Sequence, residues 1–219
     1  DDDSGVVRDS FDVPPIPKVC VLADGLGGHG GGDEASKFAV EKIVDGEDKL
    51  TNQASVIDLI ESVHKEICWQ NRSGAGHRTM GTTVCGIALN IEKWIWFNVG
   101  DSRIYAFRDP ELCQVSIDDV PSGERINRTS SRITQCLGGS DRQSSINVHV
   151  GEIDPREVSR ILLASDGLTS FVRRNEIAEI ICNHSIEQAV VNLLDLAISA
   201  GGADNISVAV IEPLELLSS

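Results

Sequence analysis

The sequence predicts an α+β domain built on antiparallel sheets, and two observations carry that expectation. Helix-like periodicity is concentrated in residues 33–69, while the strand-like runs between 82 and 108 follow one another with no helix between them. Segregated blocks of this kind build layered α+β folds, whereas a parallel sheet needs strands and helices in alternation. In addition, Gly100-Asp101-Ser102 separates two strand-like runs by a connection tight enough for an antiparallel hairpin. A chain of 219 residues, 41% of them apolar, is long enough for one sizeable core, and residues 1–219 are expected to form a single domain.

The elements are expected in this order. Lys18–Ala23, rich in valine and leucine between prolines and glycines, reads as a buried strand. From Asp33 to Val44 apolar residues recur at Ala35, Phe38, Ala39 and Ile43, the spacing of one helix face. A second helix over Ala54–Trp69 carries Val56, Leu59, Ile60, Val63 and Ile67 as its stripe, and Gly74 and Gly76 break the pattern beyond it. Strands follow at Thr82–Leu89, Trp94–Val99 and Arg103–Arg108. Asp118–Ser131, without a period and rich in Ser, Arg, Asp and Gly, reads as a mobile loop. Strands return at Ser145–Val150 and Arg160–Ala164, and a last helix, Ile186–Ser199, precedes a closing strand at Ile206–Ile211.

Composition narrows the function. The formal net charge of -15 disfavours a nucleic-acid groove or an anionic membrane surface, since both need a positive field. No run is long and apolar enough to span a bilayer, and there is no signal-peptide pattern. The six cysteines form no C-x-x-C pair and read as buried thiols of a reducing compartment, which points to the cytoplasm. Low aromatic content and the lack of a heptad seam suggest a monomer.

The glycine loop after the first strand, "ADGLGGHGGGD", admits two readings. Gly25-Leu26-Gly27-Gly28-His29-Gly30 satisfies the G-x-G-x-x-G pattern that cradles a dinucleotide pyrophosphate. Alternatively Asp24, at the strand tip, is a metal ligand and the glycines let the chain turn around it. The second reading is favoured, because alternation does not continue after Val44 and because a carboxylate at Asp24 would repel a pyrophosphate.

The arrangement at Asp24 is repeated. "VCVLADGL" and "RILLASDGL" are apolar runs ending in Asp-Gly-Leu, "WFNVGDSR" does the same for Asp101, and "GGADNISVAV" places Asp204 just before a strand. Four carboxylates at strand margins, Asp24, Asp101, Asp166 and Asp204, are costly if they converge unsatisfied. A hard cation, Mg²⁺ or Mn²⁺, offsets that cost because it prefers carboxylates, carbonyls and water. Each Asp-Gly taken singly also fits a structural turn or cap. Zinc fits poorly, since the five histidines show no zinc-ligand spacing. His29 reads either as a general acid for a leaving group or as a loop histidine bonded to nearby backbone. The other histidines read as ordinary surface or half-buried residues, and neither Ser102 nor Ser165 has an evident histidine partner for nucleophilic chemistry.

"LADGLGGHGGGDEAS", "MGTTVCGIAL", "FNVGDSRIYAFR", "TQCLGG", "LLASDGLTSFV" and "GGADNISVAVI" together resemble, in order, the metal-dependent type 2C protein serine/threonine phosphatases, most closely the bacterial branch, from about Val19 to Ile211. The resemblance implies two antiparallel sheets packed as a sandwich with helices on both outer faces. It implies two Mn²⁺ or Mg²⁺ ions bridged by Asp24, with the Gly25 carbonyl on one and Asp166 and Asp204 on the other. Asp101 is implied as the ligand of a third. A water between the two principal ions would attack phosphorus in line, with no phosphoenzyme. The implied substrates are phosphoserine and phosphothreonine proteins, opposing a serine/threonine kinase.

Three departures accompany the resemblance. Relatives carry a phosphate-binding Arg upstream of an Asn-Glu/Gln-Asp segment, whereas this chain opens on Asp1-Asp2-Asp3, as though trimmed at its N-terminus, with Asp2 or Asp3 as the remnant of the acidic pair. Leu26 stands where eukaryotic relatives have a histidine. The region before Thr134, the flap of bacterial relatives, is short, and its Arg125, Arg128 and Arg132 read as a solvated loop or as contacts to a phosphopeptide. The alternative to an enzyme is therefore a regulatory or phosphoprotein-binding module of the same fold with weak catalysis. A further alternative is a hydrolase of small phosphorylated molecules.

Overall fold

The structure is a computed structural model that describes residues 18–26, 31–74, 79–121, 133–139, 145–202 and 204–213. Its strands are β1 (Val19–Leu22), β2 (Gly25–Leu26), β3 (Gly81–Thr82), β4 (Val84–Leu89), β5 (Trp94–Val99), β6 (Arg103–Arg108), β7 (Glu111–Gln114), β8 (Leu137–Gly138), β9 (His149–Ile153), β10 (Arg160–Ala164) and β11 (Val208–Ile211). They form one sheet in the order β1-β4-β5-β9, a second in the order β11-β10-β6-β7, and a small third, β2-β3-β8. Every described strand pair is antiparallel, which removes the dinucleotide reading of the glycine loop.

The helices are α1 (Gly31–Asp45), α2 (Gln53–Ser73), α3 (Asp166–Thr169), α4 (Arg174–Asn183) and α5 (Ile186–Ser199). The period-two alternation of the strands distributes side chains among three apolar clusters. Val84 and Ala88 of β4 join Ala39 and Ile43 of α1 and Ile60 and Ile67 of α2. Tyr105 of β6 and Leu162 of β10 join Ile177 and Ile181 of α4 and Ala189 and Leu193 of α5. The remaining sides of both sheets meet in a third cluster, with Cys85 and Ile87 of β4 against Ile104, Ala106, Ile161 and Leu163. Central strands are thus buried on both faces, which is why they read as continuous apolar runs. Among the described residues no helix is long and apolar enough to cross a membrane.

Several boundaries differ from the sequence expectation for physical reasons. Helix α1 begins at Gly31 rather than Asp33 because Gly32 packs on Gly25, where a Cβ on Gly32 would stand 2.8 Å from the Gly25 carbonyl carbon. Helix α2 runs to Ser73 and stops on Gly74, whose φ of 72° is the left-handed C-terminal cap. Strand β9 is shifted to His149–Ile153, because its ladder pairs Asn98 with His149 and Trp94 with Ile153. Strand β7 and helix α4 were not anticipated. Gly100-Asp101-Ser102 does not close a hairpin: β5 belongs to the first sheet and β6 to the second, so this turn carries the chain across the sandwich. Of the cysteines, Cys85 is buried, and burial pushes the Cys20 and Cys136 thiols up to about 11. Cys182 is exposed, against the expectation of buried thiols throughout.

Candidate metal centre

Strand register decides where the four acids lie. In the first sheet Leu22 pairs with Cys85 and Val84 with Val99, so the end of β1, the start of β4 and the end of β5 coincide. In the second, Ala164 pairs with both Arg103 and Val208, so the end of β10 and the starts of β6 and β11 coincide. The crossing at Gly100-Asp101-Ser102 joins these two ends. Asp24, Asp101, Asp166 and Asp204 therefore all flank one end of the sandwich.

Asp24 is fixed through its main chain. The Thr83 amide and the Thr82 hydroxyl both donate to the Asp24 carbonyl, at 2.8 and 2.9 Å, and the Asp24 amide donates to Thr83 Oγ1 at 3.2 Å. The next residue has no room for a side chain, since a Cβ on Gly25 would lie 2.4 Å from the carbonyl group of Gly32. Glycine here is required by the close approach of β2 to the start of α1. The same Thr83 hydroxyl meets Ser102 Oγ at 2.7 Å and so ties the Asp24 strand to the Asp101 turn. Gly100, at φ 104°, lets the chain make that turn beside the Thr83 methyl.

Asp166 and Asp204 are held together by a second set of bonds. The Ser165 amide donates to the Ser207 carbonyl at 3.0 Å, and the Ser207 amide donates back to Ser165 Oγ at 2.9 Å. A Cβ on Gly167 would stand 2.1 Å from the Asn205 carbonyl oxygen, so the glycine after Asp166 exists to let the Asp204 loop lie against it. Asp204 is exposed, and its Oδ1 accepts from the Asn205 amide at 2.8 Å. Ser102 and Ser165 thus both have structural partners.

Electrostatics joins the two sets. The Asp24 carboxyl is pushed up to about 7, first by burial, then by the charges of Asp166 and Asp204, a hydrogen bond with Asp166, and the charge of Asp101. Among the described residues, no three His, Cys, Asp or Glu side chains lie close enough to hold an ion as they stand. The acids form an open acidic neighbourhood, close enough to act on one another and not closed into a cage. This donor set fits Mg²⁺ or Mn²⁺, hard cations for which carboxylates serve as ligands, and Mg²⁺ in particular usually keeps several waters and takes one or two carboxylates. It does not fit a closed zinc site.

The structure brings together Asp24, Gly25, Asp101, Asp166 and Asp204. His29, Asp2, Asp3, Arg125, Arg128 and Arg132 lie outside the described residues. Two further expectations are corrected. Asp118 and Asp119, assigned to a mobile loop, are bonded in place: Asp118 receives Nε and Nη2 of Arg103 at 2.9 and 2.7 Å, and Asp119 is buried. Burial works against the Arg103 charge, yet the bonds to Asp118 hold the guanidinium above its usual range. His64 is not a surface residue but 1% exposed, its Nδ1 accepting from the Gly138 amide at 3.1 Å. Sequence reasoning also passed over Thr82 and Thr83, whose only sign was small hydroxyl residues ahead of a strand, and it weighed Ser165 only as a nucleophile and not as the anchor of the Asp204 loop.

Comparison with known proteins places this arrangement in a family. The family model for Protein phosphatase 2C matches residues 5–191, and the chain belongs to that family. Among its relatives, the serine/threonine phosphatase stp of Listeria monocytogenes is 28% identical over 96% of this chain and 89% of its own length. Protein phosphatase PhpP of Streptococcus pneumoniae is 30% identical over 88% of this chain and 85% of its own length. Among solved structures, the catalytic domain of the phosphatase PstP in complex with two manganese ions superposes with a TM-score of 0.76 at 26% identity, covering 89% of this chain and 87% of that one.

Proposed function

We propose that this chain is a metal-dependent protein serine/threonine phosphatase that hydrolyses phosphoserine and phosphothreonine on proteins. The observation that carries this reading is the action of Asp166, Asp204 and Asp101 on the half-buried Asp24 carboxyl. Asp24, the Gly25 carbonyl, Asp166 and Asp204 would hold two Mn²⁺ or Mg²⁺ ions, and Asp101 would hold a third. Bound there, the ions lower the pKa of water toward neutrality and offset the charge of the phosphoryl group.

The chain's own residues orient this chemistry. Thr82 and Thr83 pin the Asp24 main chain and so fix where its side chain leaves the strand end. Ser165 and Ser207 hold Asp166 and the Asp204 loop in one frame. The relatives' names support phosphoproteins as the substrate class, opposing a serine/threonine kinase. Six free thiols suit a reducing compartment, and we assign the chain to the cytoplasm as a single-domain monomer.

The deciding experiment is hydrolysis of a phosphothreonine peptide across a Mn²⁺ titration, with an EDTA blank and Asp166→Asn alongside. Metal-dependent turnover that is lost in the variant is expected. Metal binding without turnover would point to the missing upstream segment or to a phosphoprotein-binding module, and turnover restored by adding the native upstream residues separates the two.

A further inference from the structure

Asp119 and His149 form a half-hidden pair beside the four carboxylates and belong to none of them. Their side chains are 10% and 13% exposed, and His149 Nε2 lies 2.8 Å from Asp119 Oδ1. The other carboxylate oxygen, Oδ2, accepts from the Gly100 amide at 2.8 Å, and the Asp119 amide donates to the Gly100 carbonyl at 3.0 Å. Both polar main-chain groups of the residue preceding Asp101 are therefore held by one amino acid.

The neighbouring strands reinforce this hold. In the β5–β9 ladder Asn98 stands opposite His149, and each side chain takes one residue of the segment that crosses the turn. Asn98 Nδ2 donates to the Ile117 carbonyl at 2.7 Å, and Asn98 Oδ1 accepts from the Ile117 amide at 3.2 Å. The Thr134 amide donates to the Asp119 carbonyl at 2.7 Å, so the chain leaves and returns at this residue. A carboxylate held on one oxygen alone is free to swing about its terminal torsion. With Gly100 on Oδ2 and His149 on Oδ1, Asp119 has one orientation. Both of its oxygens are engaged in protein hydrogen bonds.

We propose that Asp119, oriented by His149, is a positioning residue that fixes the Gly100 turn and thereby sets the reach of the Asp101 carboxylate toward a divalent cation. The proposal rests on the assignment of Asp101 as a metal ligand. Residues that orient a ligand from behind change metal affinity by about 10- to 100-fold when removed. A pair that merely stiffens the fold alters stability and leaves the identity of the affected ion site open.

The test is a double-mutant cycle on the full, metal-stripped chain, reading Mn²⁺ binding by calorimetry beside phosphothreonine-peptide turnover. His149→Ala is expected to weaken the weakest Mn²⁺ step by about tenfold. In an Asp101→Asn background the same change is expected to add nothing. His149→Gln, whose side-chain amide keeps a donor directed at Asp119, is expected to bind as the wild type does. If His149→Ala melts below the working temperature, His149→Asn, polar but too short to reach Asp119, takes its place with the same expected pattern. Unchanged Mn²⁺ binding in the His149 variant, or an equal loss in both backgrounds, overturns the positioning role and leaves the Asp101 assignment standing. Unchanged Mn²⁺ binding in Asp101→Asn alone overturns that assignment and the proposal with it.

Discussion

The two sheets contribute their acids in different ways. On the first sheet Asp24 is half-buried, and three hydrogen bonds, two accepted from Thr82 and Thr83 and one donated to Thr83, immobilise its main chain. On the second, Asp204 is exposed in a loop hooked to Ser165 through Ser207 and Asn205. The first side concentrates electrostatic strain in one carboxyl, while the second leaves its outer acid in contact with water. The proposed centre, which would have to hold cations firmly and still exchange phosphate, would gain from that division between an anchored acid and an exposed one.

Breaking the anchored side should have the largest effect. Asp24→Asn is expected to lower Mn²⁺-dependent turnover on the order of a thousandfold or more, because the group assigned to bridge both ions is lost. The same variant should melt higher than the wild type when both are metal-free, since a repelled buried charge has been removed, and differential scanning calorimetry in EDTA reads this directly. A lower melting point would mean that the charge of Asp24 is balanced by something other than a metal.

Steric damage comes next. Gly167→Ala forces a Cβ to within 2.1 Å of the Asn205 carbonyl oxygen. A loss of about 1–3 kcal/mol in urea unfolding is expected, together with weaker Mn²⁺ binding. Gly74→Ala, at a φ of 72° with open space around it, should lose less stability and leave Mn²⁺ binding unchanged.

The pH dependence is smaller and has a defined sign. The Asp24 carboxyl titrates at about 7 in the folded chain against 3.8 for a free aspartate, so the folded state keeps the proton longer. Between those values the native state binds more protons than the unfolded one, so this group's contribution to metal-free stability falls as pH rises from about 4 to about 7. Cation binding needs the deprotonated form, and the stabilisation added by Mn²⁺ should grow over the same interval. Thermal melts across that range, in EDTA and at fixed Mn²⁺, check both halves. The smallest effect is expected from the exposed side: Asp204→Asn should weaken Mn²⁺ by about tenfold and leave metal-free stability within about 0.5 kcal/mol.

Much of this architecture was readable before any coordinates because the informative features are local. Trp94–Val99 and Arg103–Arg108 were assigned to the residue, since both strands are apolar on two faces. The four strand-end acids were visible because a carboxylate after an apolar run is out of place wherever it occurs. The turn between β5 and β6 was misread as a hairpin because sheet membership depends on distant partners, β9 for one and β10 for the other. Asp119 and His149 were missed for the same reason: each is ordinary in its own segment, and only the register of β9 against β5 brings them together. Helix α4 escaped because two isoleucines, Ile177 and Ile181, carry its buried face in a short, charged stretch.

The hook between Ser165 and Ser207 has a consequence for activity. The proposed centre draws on Asp24, near one end of the sequence, and on Asp204, which takes its place only when β11 pairs with β10. A fragment clipped ahead of Val208 lacks that closure, whatever its other elements have achieved. Competence of the proposed centre would therefore depend on the pairing of β11 with β10, so that a copy in which that pair is open stays silent.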